Sequence, residues 1–238
     1  MRSFQLTDVL FKLEYLADLV VLADGPNSNF RSQFIRQRPQ SQSRFWGLEL
    51  SGVQLPIPQY VYGILGSGPP LLVYQTSNGE ARILIDILDD TYDKLGNQRA
   101  VREHIAERVL PIVPTSLQSS LHDALRAGRL RSMANSWMPA ARIHTPGLVM
   151  LGDAANMRHP MTGAGMTVGI KDAILLSRIL SPEEVPSFQN TSNVLTKLGE
   201  FHWERKYHSA SLNILAQTLY LLFASEGIYH TPLSSPSL

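Results

Sequence analysis

A mixed α/β fold is what this sequence predicts, and three patterns carry that expectation. Two apolar, valine-containing runs, residues 19–23 and 148–151, end in Asp24-Gly25 and Gly152-Asp153, as buried strands do when they deliver a polar loop at their C-terminal ends. Between them lie four short apolar or alternating segments, residues 45–50, 60–65, 71–75 and 81–88. They are separated by Gly52, Pro56, Pro58, Gly66-Ser67-Gly68-Pro69-Pro70 and Ser77-Asn78-Gly79, which predicts an antiparallel sheet with Asn78-Gly79 as a hairpin turn. The third pattern is helical spacing of apolar residues in the remaining segments.

Taken in order, the strand at 19–23 feeds the Asp24-Gly25 loop, at the strand end where open α/β sheets place ligands. The sheet follows. Val101, Ile105 and Val109 recur at helical spacing, and Pro111 with Pro114 ends that helix. The strand at 148–151 leads through a polar loop to Gly163-Ala164-Gly165, where a helix over 167–180 begins, stopped by Ser181-Pro182. Residues 182–196, rich in Ser, Pro and Asn, read as a surface connection. A long amphipathic helix over 201–223, with Leu212, Leu215, Leu219 and Leu222 on its apolar face, closes the pattern.

Composition narrows the chemistry. The chain has 238 residues, 17% of them charged, with 21 Lys and Arg against 20 Asp and Glu. Such a balance gives no bulk attraction for nucleic acid. There is no cysteine, which excludes disulfides, thiolate metal sites and cysteine nucleophiles. The seven histidines form no His-x-x-x-His or similar pattern, so no metal site is expected. Acidic and basic residues interrupt the first 18 positions, so they do not read as a secretion signal, and no stretch reaches the ~20 apolar residues of a spanning helix.

The most informative stretch is 147–167. Glycines let backbone N–H groups approach a ligand closely, and a helix N-terminus carries partial positive charge suited to a pyrophosphate or an electron-rich ring. Asp153, at the strand's end, is placed to accept hydrogen bonds from a polyol hydroxyl. The turn reads as a flavin-binding loop, but a Gly-Asp and a Gly-x-Gly by themselves also occur in bare connections.

The wording of this loop, Asn156-Met157-Arg158-His159-Pro160-Met161-Thr162-Gly163-Ala164-Gly165-Met166-Thr167-Val168, resembles the C-terminal flavin motif of squalene epoxidases. Further segments are similar to that family in the same order. Ala23-Asp24-Gly25-Pro26-Asn27-Ser28-Asn29-Phe30-Arg31 resembles its Asp-Gly motif, and Val73-Tyr74-Gln75 through Arg82-Ile83-Leu84-Ile85-Asp86 its substrate-domain hairpin. Residues 130–139 and 213–224 complete the likeness. Two departures stand out: Ala164 replaces a glycine of the usual Gly-Gly-Gly, and Ala134-Asn135 alter the Arg-Ser-Met-Pro wording.

The resemblance, to the fungal type in particular, implies a partial FAD-dependent monooxygenase fold with an antiparallel substrate sheet and C-terminal helices. No Gly-x-Gly-x-x-Gly unit is found, so the N-terminal dinucleotide-binding βαβ unit that holds the ADP half of FAD is expected to be lacking, and the chain as given is expected neither to bind FAD stoichiometrically nor to epoxidise squalene. The expected parts are a remnant of the FAD-binding domain at 1–44, mainly substrate-domain sheet and helix at 45–139, the Gly-Asp motif and its helix at 140–181, and a C-terminal helical region at 182–238.

The implied activity is epoxidation of squalene to 2,3-epoxysqualene in sterol or triterpenoid synthesis. FAD is the cofactor, and NADPH serves through a partner reductase. Since reduced flavin and O2 supply the oxygen chemistry, no catalytic side chain is assigned. The expected cofactor residues are Asp24, Gly25, Gly152, Asp153, Gly163, Gly165, Met166 and Thr167. Arg158 and His159 either join them or brace the loop through ion-pair and capping roles. Tyr74, Phe45, Leu72 and Trp137 are the expected substrate residues, and each is also consistent with ordinary core. Peripheral attachment to the cytosolic face of the endoplasmic reticulum membrane is implied, with helix 201–223 either resting on a bilayer or covering the core. The competing expectation is an inactive, truncated paralogue that binds a hydrophobic ligand or another protein.

Overall fold

The computed structural model describes residues 2–7, 12–65 and 68–225, and its internal contacts divide the chain into two units. The first combines residues 1–40 with 137–217, and the second 41–136 with 218–238.

The first unit opens with a hairpin of β1 (Arg2–Thr7) and β2 (Lys12–Ala17). Its ligand-bearing part is built on two parallel strands, β3 (Val20–Leu22) and β9 (Leu148–Met150), with Val20 opposite Leu148. All three residues of β9 are buried. Because successive side chains point to opposite faces, Leu148 and Met150 join Leu22, Ile35, Met138 and Met157 in one apolar cluster. Val149 packs on the other face against Leu175, Leu176, Ile179 and Phe201. A continuous apolar run is what such a doubly covered strand requires. Short helices α1 (Arg31–Phe34) and α5 (Gly152–Ala155) follow β3 and β9. Then come α6 (Gly165–Ile179) and the 35-residue α7 (Thr191–Ser225), which passes from the first unit into the second at Thr218.

In the second unit, β4 (Gln40–Ser51), β5 (Val61–Ile64), β6 (Leu71–Ser77), β7 (Glu80–Leu88) and β8 (Arg131–Trp137) form one sheet in the order β5-β6-β7-β4-β8. The alternation noted in the sequence sorts its faces. Trp46, Leu48, Leu50, Leu71, Val73, Ile83 and Ile85 share one core with Val101, Ile105, Leu117 and Leu121. These last belong to α3 (Gln98–Arg108) and α4 (Thr115–Ala127). The Asn78-Gly79 hairpin is present, with Ser77 opposite Glu80 and Gly79 at φ 74°. A register irregularity lies between Gln75 and Ser77. Two helices were not expected from the sequence: α2 (Asp89–Leu95), closed by left-handed Gly96 at φ 75°, and α4. Asn97 then caps α3, its side chain accepting from the Ala100 N–H at 3.0 Å.

The last helix departs from expectation in two ways. It starts at Thr191, so the surface connection expected over 182–196 ends six residues early, and Val194 is buried inside the helix. Its buried stripe is also not the leucine face. Phe201, Arg205, Ser209, Ala216 and Tyr220 are buried, whereas Leu215 is 48% and Leu222 56% exposed. Buried Arg205 pairs with Asp172 on α6, so the inward stripe combines polar and small residues with Phe201 and Tyr220.

Candidate functional site

Every residue expected to meet the cofactor lies in the first unit. After β3 the chain turns at Gly25, at φ 78°, and the Asp24 Oδ2 accepts from the Asn29 N–H at 3.1 Å, closing the loop. Arg31, 4% exposed, ties this loop to the second one. Its Nη2 donates to the carbonyls of Gly25 (2.9 Å), Pro26 (3.0 Å) and Asp153 (3.0 Å), and its Nε to that of Ala154 (3.0 Å). A rigid guanidinium fork suits such a multi-point clamp. Burial lowers the Arg31 pKa, while Asp24 and Asp153 oppose that shift.

The second loop is set by Gly152, whose φ of 55° favours glycine. Its N–H donates to the Asp172 Oδ2 at 3.0 Å. That fully buried carboxylate also accepts from the Arg205 Nε at 2.8 Å and meets the His208 Nε2 at 3.2 Å. A Cβ on Gly152 would sit 3.9 Å from the Gly169 Cα, so α6 packs closely on the turn at this point. Helix α6 therefore anchors the Gly152-Asp153 turn through Asp172.

Further along, buried Asn156 donates from Nδ2 to the Met138 carbonyl at 2.7 Å. Its Oδ1 accepts from the Arg158 Nη2 (3.1 Å) and from the Asn213 Nδ2 (3.0 Å). The Arg158 Nε donates to the Asn213 Oδ1 at 2.8 Å. His159 caps the following turn, Nδ1 accepting from the Met161 N–H at 3.3 Å, and burial pushes its pKa down to about 4. The imidazole is neutral at physiological pH. Gly163 takes the left-handed conformation at φ 62°. Ala164 sits at φ −81°, so its extra methyl causes no backbone strain.

Helix α6 starts at Gly165, with Met166 and Thr167 exposed in its first turn. A Cβ on Gly165 would lie 3.9 Å from both the Arg158 Nη1 and the Asp153 Oδ1. Nη1 is buried and has no hydrogen-bond partner among the described residues. The turn thus brings together open glycines, the positive end of a 15-residue helix, an uncommitted guanidinium donor and a carboxylate. Such a set suits a flavin nucleotide, which carries polyol hydroxyls, an acceptor-rich ring and phosphates.

In the second unit, the sheet face opposite the core carries a cavity of about 390 Å³. Phe45, Leu84 and Met133 supply apolar walls, and Tyr74, Glu49, Arg82 and Arg131 polar ones. Tyr74 hydrogen-bonds Arg82 and, after Glu49, raises its pKa; the Arg82 Nη2 meets the Glu49 Oε1 at 2.8 Å. Leu72 lies on the same face as Tyr74, opposite Leu84, without lining the cavity. Trp137 ends β8 and belongs to the first unit. Next to Phe45 in register is Asp86, 4% exposed. Its Oδ1 accepts from the Asn135 Nδ2 at 2.8 Å, and burial raises its pKa to about 6.

Sequence reasoning missed Arg31 as a clamp, Asp172 as an anchor and Asp86 as a buried titrating group. For Asp172 a signal exists: it falls in the buried series Val168, Asp172, Leu175, Leu176 and Ile179, where a lone carboxylate needs a partner. Among the described residues no grouping of His, Asp and Glu could hold a metal ion, and no helix is long and apolar enough to cross a membrane.

Known proteins share this fold. HpxO of Klebsiella pneumoniae, complexed with FAD and uric acid, superposes with a TM-score of 0.67 at 19% identity, covering 87% of this chain and 52% of that one. PqsL of Pseudomonas aeruginosa, in complex with 2-aminobenzoylacetate, gives 0.66 at 19% over 91% and 57%. The fold is that of FAD-dependent monooxygenases. In sequence, the chain is 47% identical to the squalene epoxidase of Aspergillus fumigatus over 215 residues, 90% of this chain and 45% of the relative. It is 38% identical to that of Schizosaccharomyces pombe (94% and 48%) and 36% identical to the squalene monooxygenase of Mus musculus (89% and 36%). It spans less than half the length of each of these three relatives. The squalene epoxidase family model matches residues 16–235, across both the Gly-Asp turn and the cavity-bearing sheet, and the chain belongs to that family.

Proposed function

We propose that this chain supplies the flavin-ring side of the site and the substrate sheet of an FAD-dependent squalene monooxygenase, which converts squalene to 2,3-epoxysqualene. When bound, reduced FAD with O2 supplies the oxygen-transfer chemistry, so the protein's work is to bind, orient and exclude water. Asp153 and Asp24 accept hydrogen bonds from the polyol chain, and Gly25, Gly152, Gly163 and Gly165 permit close backbone approach. The first turn of α6, at Met166 and Thr167, would offer backbone N–H groups to the ring. Tyr74, Phe45, Leu72 and Trp137 aim and enclose an apolar polyene. NADPH acts through a partner reductase, and the protein works as a peripheral protein on the cytosolic face of the endoplasmic reticulum membrane. The residue groups fall at 1–44, 45–139, 140–181 and 182–238, with cofactor work in the first and third.

The observation that carries this reading is the start of α6 at Gly165, where a Cβ would lie 3.9 Å from both a buried, unpartnered arginine donor and the Asp153 carboxylate. Titration of the 238-residue chain with riboflavin and with FAD, followed by flavin fluorescence, tests it. Saturable quenching is expected, weakened roughly 5- to 100-fold in Asp153→Ala, the equivalent of about 1–3 kcal/mol for an unpaired buried partner. No saturable quenching with either ligand, or identical titrations for both proteins, overturns the assignment.

A further inference from the structure

Arg158 is a buried cation. It is 6% exposed, yet no carboxylate comes within ion-pair distance of it among the described residues. The charged groups that face it are Asp153, Arg205 and Asp172, and Asp172 is already committed to Arg205 at 2.8 Å. Burial accordingly makes the charged form harder to hold. Proteins rarely bury an uncompensated charge, because desolvation is costly.

Two of its three nitrogens explain its orientation and leave the third unexplained. Nε is held by the Asn213 Oδ1 and Nη2 by the Asn156 Oδ1; Asn213 and Asn156 are joined to each other, and Asn156 to the Met138 carbonyl. This neutral frame fixes the plane of the guanidinium without cancelling its charge. Nη1, buried and unpartnered, is then left on the Gly165 side, within reach of the space a Cβ there would enter. Nη1 is thus the one Arg158 donor that the loop and α7 leave unused among the described residues, and it lies beside the N-terminus of α6. We infer that Arg158 is a ligand-binding residue whose Nη1 meets a negatively charged group of the bound flavin nucleotide, either the ring when reduced or the pyrophosphate.

The inference rests on the flavin reading of the loop, and one set of titrations separates the two. The unaltered chain, Arg158→Met and Arg158→Lys are titrated with riboflavin, oxidised and dithionite-reduced, and with oxidised FAD. A charge contact predicts that Arg158→Met binds oxidised riboflavin within about twofold of the unaltered chain but loses at least tenfold toward reduced riboflavin or toward FAD. Loss confined to reduced riboflavin assigns the ring, at about 30 mV of lowered two-electron midpoint potential for each tenfold. Loss confined to FAD assigns the pyrophosphate. Arg158→Lys, which keeps the charge, should recover part of either loss.

Ligand-free stability is measured alongside, because Arg158→Met also leaves the Asn213 Oδ1 without its Arg158 donor. The chemical-denaturation midpoint should therefore fall, and only a ligand contact adds a loss of affinity selective for reduced riboflavin or FAD. Equal losses for all three ligands, no loss for any, or a lowered midpoint with unaltered affinities overturns the assignment of Arg158. Failure of the unaltered chain to bind any of the ligands overturns the flavin reading and the inference together.

Discussion

Asp86 and His159 should pull the stability of this protein in opposite directions over the same pH range. Burial raises the Asp86 pKa from 3.8 to about 6 and lowers that of His159 from 6.5 to about 4. For Asp86 the folded state holds its proton more tightly than the unfolded state. Its stabilising contribution is therefore complete below pH 3.8 and is lost as pH rises through 6. For His159 the folded state resists protonation, so its contribution is complete above pH 6.5 and is lost as pH falls toward 4. At about 1.4 kcal/mol for each pKa unit, both swings come to about 3 kcal/mol, and they largely cancel.

Single substitutions expose the cancellation. Asp86→Asn keeps an acceptor for the Asn135 Nδ2, and His159→Asn keeps a side-chain acceptor for the Met161 N–H. Urea denaturation of the three proteins between pH 4 and 7 gives the stability differences. Relative to the unaltered chain, Asp86→Asn should gain about 3 kcal/mol on going from pH 4 to 7, and His159→Asn should lose about as much. The double variant should follow the original slope. A difference curve for Asp86→Asn that stays flat within about 0.5 kcal/mol would refute the claim that burial holds this carboxyl protonated.

Other substitutions test the packing. Asp172→Ala leaves the Arg205 guanidinium buried without its partner and should cost about 3–5 kcal/mol in a thermal or urea melt. Leu121→Ala, at a fully buried position under the sheet, should cost about 2–5 kcal/mol by the same measurement. On α7, Leu215→Lys should change stability by less than about 0.5 kcal/mol, whereas Ala216→Asp, at a fully buried position, should prevent cooperative folding; equal effects would contradict the assignment of the helix face. Arg31→Met frees four backbone carbonyls and should make the 24–31 loop the first site cut in limited proteolysis.

Where the sequence was legible, a single periodicity governed the residues. β6 over residues 71–74 and β7 over residues 80–85 alternate in burial, because one face meets the helices and the other the cavity. β9 reads as an unbroken apolar run because both its faces are covered. α4 was equally readable in principle: Leu117, Leu121, Ala124 and Leu125 mark one face. Gly96 followed by Asn97 is the stop-and-cap pair that separates α2 from α3. Long-range polar pairing is what hid the face of α7. Its inward stripe contains Arg205 and Ser209, and only Asp172, 33 residues earlier in the chain, makes Arg205 acceptable there.

The site shows the same division. Glycines at 25, 152 and 163 are readable because their positive φ angles exclude most other residues, and each marks a bend in the loop. Arginines are not readable in this way. Arg31 and Arg158 both stand in motif-like wording and both are buried, but their donors are used differently. Arg31 directs Nε and Nη2 to four carbonyls on the two loops, so its role is complete within the protein. Arg158 has Nη1 left over beside Gly165. No local pattern distinguishes a clamp from a ligand contact, because the difference lies in residues more than 50 positions away, such as Asn213 for Arg158. What separates them is where the leftover donor lies, buried beside Gly165 for Arg158, and that placement exists only once the loops and α7 are folded together.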